Sequence, residues 1–161
     1  MRLGPRRAAC WLAGAWAGLI AGIGFVAGPA LFATLPRGDA GLVAARLFAI
    51  DAYLGLALGG VALVLALREA RDRNDGGSRF SVEMMLALAA LFCVVVGHFA
   101  LQPMMEAARA GKSAVSFAVL HGVATAFLLI KFLAVSALAW RLTIAPPPWA
   151  RVAATAAAPT S

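Results

Sequence analysis

The sequence reads SVEMMLALAALFCVVVGHFAL from Ser81 to Leu101, and this apolar run decides the fold. It contains one acidic side chain, Glu83, and one histidine, His98. A helix needs about 20 mostly apolar residues to cross the hydrocarbon core of a bilayer. The stretch therefore predicts a membrane-spanning helix.

Three further segments have the same length and character, at residues 8–28, 42–67 and 115–139. Backbone polar groups in lipid must be hydrogen-bonded within the protein, and a helix satisfies its own. We therefore predict an all-α, integral membrane four-helix bundle with up-down-up-down topology over residues 8–140. A basic segment, residues 1–7, is expected before it, and a disordered cytoplasmic tail, residues 141–161, after it.

Composition agrees with a membrane environment. Hydrophobic residues make up 63% of the chain and charged residues 13%, whereas soluble domains have about 45–50% and about 25%. The net charge is +7, but the arginines cluster at the ends of apolar runs and not in an aromatic-laced patch. We expect the lipid bilayer as partner and no nucleic acid. Cys10 and Cys93 lack metal-site spacing and are interpreted as small apolar residues.

The distribution of Lys and Arg predicts the orientation, because cytoplasmic loops are enriched in both. One side has nine such residues: Arg2, Arg6, Arg7, Arg68, Arg71, Arg73, Arg79, Arg141 and Arg151. The other side has four: Arg37, Arg46, Arg109 and Lys112. Both termini are therefore predicted to be cytoplasmic, in a multi-pass protein of the plasma or inner membrane.

Two glycine stripes predict where helices approach closely, since membrane helices pack through small residues. Gly14, Gly18 and Gly22 share one face of the first span, and Gly55 and Gly59 share one face of the second. Packing within the chain is the favoured interpretation, and a homodimer interface is the alternative. The four tryptophans are expected near the membrane interfaces: Trp11, Trp16, Trp140 and Trp149.

Ionisable groups inside spans are costly and often functional. If the third connection is a symmetric helical hairpin centred between Arg109 and Ala110, His98 and His121 lie at equal depth. His98, Gln102 and Glu106 recur every four residues and share a helix face. We predict a polar cluster in the outer half of the bundle, made of Arg46, Asp51, His98, Gln102 and His121. Lys131 is expected to extend its ammonium towards the inner headgroups, with a buried ion pair as the less favoured alternative.

Three interpretations of the cluster stay open. In the first, its members hydrogen-bond to one another and fix the helix register. In the second, His98 and His121 bind a transition metal or haem, in a redox component or in a component of metal transport or resistance. In the third, the cluster binds a polar small molecule or relays protons. No enzyme motif is recognisable, so no catalytic residue is assigned and a non-enzymatic accessory or binding bundle is favoured.

Four segments resemble the transmembrane protein 205-like family, also known as domain of unknown function 4149. They are GFVAGPALFATLP at 24–36, AGLVAARLF at 40–48, QPMM at 102–105 and FAVLHG at 117–122. The resemblance covers about residues 12–140. It implies a four-helix membrane bundle and no settled activity for bacterial members. A more distant similarity to copper-resistance and haem-related membrane families favours histidine ligation.

Overall fold

The computed structural model describes residues 5–72 and 81–144, and all regular structure in those ranges is helical. Its α-helices are α1 (Pro5–Ala21), α2 (Gly28–Thr34), α3 (Arg37–Asp72), α4 (Val82–Val95), α5 (Gln102–Arg109) and α6 (Phe117–Ile144). Two π-helical turns, Gly22–Ala27 and Val96–Leu101, join α1 to α2 and α4 to α5. The predictions made for residues 1–4, 73–80 and 145–161 lie outside the described residues.

Four continuous helices are long and apolar enough to cross a membrane, which confirms the predicted all-α class with four candidate spans. We number them span 1 (Arg6–Thr34), span 2 (Arg37–Arg68), span 3 (Val82–Arg109) and span 4 (Phe117–Ile144). Spans 1 and 2 are joined at Leu35 and Pro36, and spans 3 and 4 at residues 110–116. We call the end with these two connections the cleft end, and the opposite end, at Arg6 and Ile144, the basal end.

Spans 1 and 3 continue further towards the cleft end than expected, because two prolines do not end them. Pro29 and Pro103 each lie in the first turn after a π-helical turn. Proline lacks an N–H and clashes with the carbonyl four residues earlier, so it breaks a regular α-helix. In the first π-turn the Gly28 N–H bonds to the Ile23 carbonyl, five residues back. The wider turn accommodates the proline, and the helix resumes.

The spans pack in the cyclic order 1–2–3–4, with span 4 returning against span 1. The central core contains buried residues from all four spans: Trp16, Ile20, Ala52, Ala90, Val94, Ala134 and Val135. A second cluster nearer the basal end contains Ala9, Ala13, Ala87, Leu138 and Leu142. At the cleft end the buried cluster, Leu101, Met105 and Leu120, comes from spans 3 and 4 alone.

Trp16 is the largest side chain of the central core and is only 1% exposed. The expectation of an interfacial position is therefore wrong for this tryptophan, whereas Trp11 and Trp140 are exposed. Gly55 and Gly59 of span 2 make room for its ring. A Cβ on Gly59 would lie 2.6 Å from Leu91 Cδ2 and 3.0 Å from Trp16 Cη2.

The glycine stripe of span 1 has a different environment. A Cβ on Gly14, Gly18 or Gly22 would meet no atom within 4 Å, and all three residues are exposed. These glycines therefore make no close helix contact within the described chain, contrary to the favoured interpretation.

Candidate functional site: a cavity at the cleft end

A cavity of about 930 Å³ lies between the four spans, from the middle of the bundle to the cleft end. Its walls are mostly apolar, with side chains such as Phe32, Phe48, Val94, Met105, Phe127 and Leu128. Nine polar or charged side chains also line it, at different heights: Arg37, Asp39, Asp51, His98, Gln102, Arg109, His121, Thr125 and Lys131. Ligand sites in proteins have this size and a mostly apolar wall with placed polar groups.

The deepest polar groups of the cavity are Asp51 of span 2 and Lys131 of span 4. They are 2% and 5% exposed, and the ammonium of Lys131 donates a hydrogen bond to Oδ2 of Asp51 in a buried ion pair. Each is the fifteenth residue of its helix, and both helices start at the cleft end, so the two residues share one depth. The expectation that Lys131 reaches the headgroups is wrong, because its opposite charge lies inside the bundle.

The second oxygen of Asp51 is in a different situation. Oδ1 is buried and has no hydrogen-bond partner within the described residues, although Asp51 lines the cavity. Buried polar groups in native proteins are nearly always hydrogen-bonded. The carboxylate therefore retains an acceptor site beside a cavity.

His98 and His121 both line the cavity but lie at different depths. His98 precedes the end of α5 by eleven residues, whereas His121 follows the start of α6 by only four. At 1.5 Å per residue the difference is about 10 Å. The equal depth predicted from a symmetric hairpin is wrong, because α5 continues to Arg109 and the connection is centred near Ser113.

The two rings also have different neighbours. His98 packs edge-on against Tyr53, with ring centroids 5.5 Å apart, and against Phe99, at 4.9 Å. His121 stacks on Phe117, at 5.7 Å and an interplanar angle of 15°. The guanidinium carbon of Arg109 lies 4.7 Å from the centre of the same Phe117 ring. Arg109, Phe117 and His121 thus form a column at the rim of the cavity.

The other members of the predicted cluster divide between the cavity and the surface. Gln102 lines the cavity, whereas Arg46 is exposed and is not part of the lining. Glu106 is likewise exposed and absent from the lining. Of the five predicted residues, the cavity therefore brings together Asp51, His98, Gln102 and His121.

Sequence reasoning missed Lys131, Cys93 and Arg109 as cavity residues. The usable signal for Lys131 was its position near the middle of an apolar run, where a lysine needs a partner. Cys93 is buried beside the ion pair and is a free thiol, as is Cys10. Cys93 is buried because it lies on the same helix face as Ala90 of the central core. No polar residues in the sequence indicate that this face borders a cavity.

Within residues 5–72 and 81–144, no three or more His, Cys, Asp or Glu side chains are grouped to hold a metal ion. This finding gives no support to the interpretation of His98 and His121 as transition-metal ligands. Haem ligation by the two histidines stays a prediction.

Four apolar helices around a partly polar cavity define the class: a small multi-pass membrane protein. The family described as Domain of unknown function (DUF4149) matches residues 11–114. The chain belongs to this family, and the match includes spans 2 and 3 and most of span 1. No curated protein and no solved structure matches the chain.

Proposed function

We propose that the protein is a non-enzymatic membrane bundle that binds an amphipathic small molecule in the cavity at its cleft end. The observation that carries the proposal is the combination of a cavity of about 930 Å³ with mostly apolar walls and a buried Asp51–Lys131 pair at its deep end. An apolar chain gains by leaving water for such walls. Burial of a polar head group is unfavourable unless protein groups form hydrogen bonds with it.

The rim of the cavity supports the same function. Arg109, Phe117 and His121 stack at the opening, and Phe32 and Leu42 are exposed apolar residues of the lining. A cavity bordered by exposed apolar groups is open to a molecule that arrives from the bilayer. We infer that the ligand enters laterally at the cleft end.

The proposal includes an orientation. The nine Lys and Arg residues on the side of both termini support a cytoplasmic basal end, and so a cleft end that faces outward. The same orientation gives an up-down-up-down topology, and we propose the plasma or inner membrane as the location. The four similar segments support the finer assignment to the transmembrane protein 205-like family.

The test is photolabelling of the protein in lipid nanodiscs with a long-chain alkyl probe that carries a diazirine on its chain. In the natural protein, peptide mass spectrometry is expected to find the label on cavity-lining residues. Ala45 lines the cavity, so Ala45→Phe fills part of it and is expected to reduce that labelling strongly. Ala57→Phe is the matched control, because Ala57 is an exposed residue of the same helix.

Two results would contradict the proposal. One is label on lipid-facing residues alone in the natural protein. The other is cavity labelling that Ala45→Phe leaves unchanged.

A second copy of the chain as partner stays a prediction. The exposed face of Gly14, Gly18 and Gly22 has the four-residue spacing through which membrane helices approach one another. Cross-linking of a Gly18→Cys variant in the membrane tests it, with Gly60→Cys on span 2 as the comparison.

A further inference from the structure

The two oxygens of the Asp51 carboxylate differ in their hydrogen bonding. Oδ2 accepts a bond from Lys131, whereas Oδ1 is buried and without a partner in the part of the chain that the structure describes. Leaving a buried acceptor unpaired is unfavourable, because the group has lost its water and gained nothing in return. Any ligand group that donates a hydrogen bond to Oδ1 removes this penalty.

Lys131 supplies the complementary chemistry at the same place. An ammonium has three N–H donors, and the side-chain bond it makes within the described residues goes to Asp51. Both residues line the cavity. The pair therefore offers a ligand an acceptor and donors side by side.

Charge decides which head group fits. Asp51 and Lys131 neutralise each other, so a charged head at this depth would be buried without a counter-charge. A neutral group meets no such penalty if its hydrogen bonds are made. The matching groups are those that both donate and accept, namely a hydroxyl or an amide.

We propose that the cavity binds an uncharged amphiphile whose hydroxyl or amide group donates a hydrogen bond to Oδ1 of Asp51 and accepts one from Lys131. The alkyl part of the ligand then lies along the apolar walls towards the cleft end. This inference rests on the proposed function and adds the head-group chemistry and the residues that recognise it.

The experiment compares two diazirine probes of equal chain length in nanodiscs: a long-chain primary alcohol and its methyl ether. The ether can accept a hydrogen bond but cannot donate one to Oδ1. One net hydrogen bond to a charged group corresponds to a preference of at least about tenfold. We expect half-maximal labelling of cavity residues by the alcohol at a concentration lower by this factor.

The variant to test is D51L/K131M, which removes both charges together and leaves no unpaired ion. In this variant both probes lose the hydrogen bond that Lys131 donates, so labelling by both is expected to weaken, and the alcohol is expected to lose its preference over the ether. Thermal unfolding in the same nanodiscs verifies the fold. E83Q/R141Q is the matched control, because it removes an ion pair near the basal end that does not line the cavity.

The outcomes separate the two proposals. If neither probe labels the cavity of the natural protein, the proposed function is wrong. If both probes label it equally, or if D51L/K131M retains the preference for the alcohol, the cavity binds amphiphiles but the hydrogen bond to Asp51 is refuted. A carboxylate or ammonium probe that labels more strongly than the alcohol also refutes the neutral head.

Discussion

The basal and cleft halves of the bundle use the same four spans in different ways. In the basal half and the middle, Trp16 fills the centre and alanines and glycines of the neighbouring spans close around it. In the cleft half, the buried cluster joins only spans 3 and 4, and the remaining space is the cavity. Packing between membrane helices depends on close contact. The comparison therefore predicts that the basal half determines stability and the cleft half determines binding.

The largest expected effect is that of Trp16→Ala. Replacing a buried Trp by Ala costs about 3–5 kcal/mol, and this ring contacts the core from the centre of span 1. We expect a loss of that size in the free energy of unfolding, measured by denaturant titration in detergent micelles.

Trp140→Ala is the matched control, since Trp140 is 68% exposed. It is expected to change stability by less than about 0.5 kcal/mol. Equal effects of the two substitutions would show that Trp16 is not the centre of the packed half.

The next effect concerns the ion pair at the boundary between the two halves. Lys131→Met leaves the buried carboxylate of Asp51 without its counter-charge, which costs about 3 kcal/mol. The double variant D51L/K131M is expected to recover most of this loss. A complete double-mutant cycle measures the coupling free energy between Asp51 and Lys131. A value near zero would show that the two side chains do not form an ion pair in the folded protein.

A smaller effect is expected from a single methyl group. Gly59→Ala places a Cβ 2.6 Å from Leu91 Cδ2, and overpacking of this kind costs about 1–3 kcal/mol. Gly18→Ala meets nothing within 4 Å and is expected to be neutral or to stabilise by up to about 1 kcal/mol. Thermal unfolding of both variants checks the sign, and a destabilising Gly18→Ala would show that its face is covered.

The smallest effect on stability is expected at the rim of the cavity. His121 is exposed and its ring stacks on Phe117 alone among the described aromatic residues. His121→Ala should change the unfolding free energy by no more than about 0.5 kcal/mol, while it lowers labelling by the alkyl probe. A large loss of stability together with unchanged labelling would show that His121 contributes to folding and not to ligand binding.

The four spans could be predicted from sequence because apolar length alone determines them. Their ends at the cleft side could not, since Pro29 and Pro103 normally stop a helix and the sequence does not mark the π-turns that accommodate them. The start of span 2 was expected at Leu42 and lies at Arg37, because Gly38 and Gly41 are part of the helix and do not belong to the connection. With a start at Leu42, Asp51 and Lys131 lie at different distances from the first residues of their helices. The sequence therefore did not indicate that they share a depth and pair.

The candidate site was predictable in its residue types and not in its geometry. Burial of charge in lipid already indicated that Asp51, His98, Gln102 and His121 face inward, and all four line the cavity. Arg46 does not, because an arginine near a helix end can reach polar surroundings without entering the bundle. The rotation of each helix depends on packing around Trp16, which no local pattern encodes.

The ion pair also has a consequence for biosynthesis. Asp51 emerges from the ribosome 80 residues before Lys131, so the first hairpin of spans 1 and 2 enters the bilayer with an uncompensated carboxylate. A charge at the centre of a helix opposes insertion by about 2.5–3.5 kcal/mol. The last helix to leave the translocon therefore delivers the counter-ion for the second, and a chain that stops after span 3 leaves Asp51 without its opposite charge.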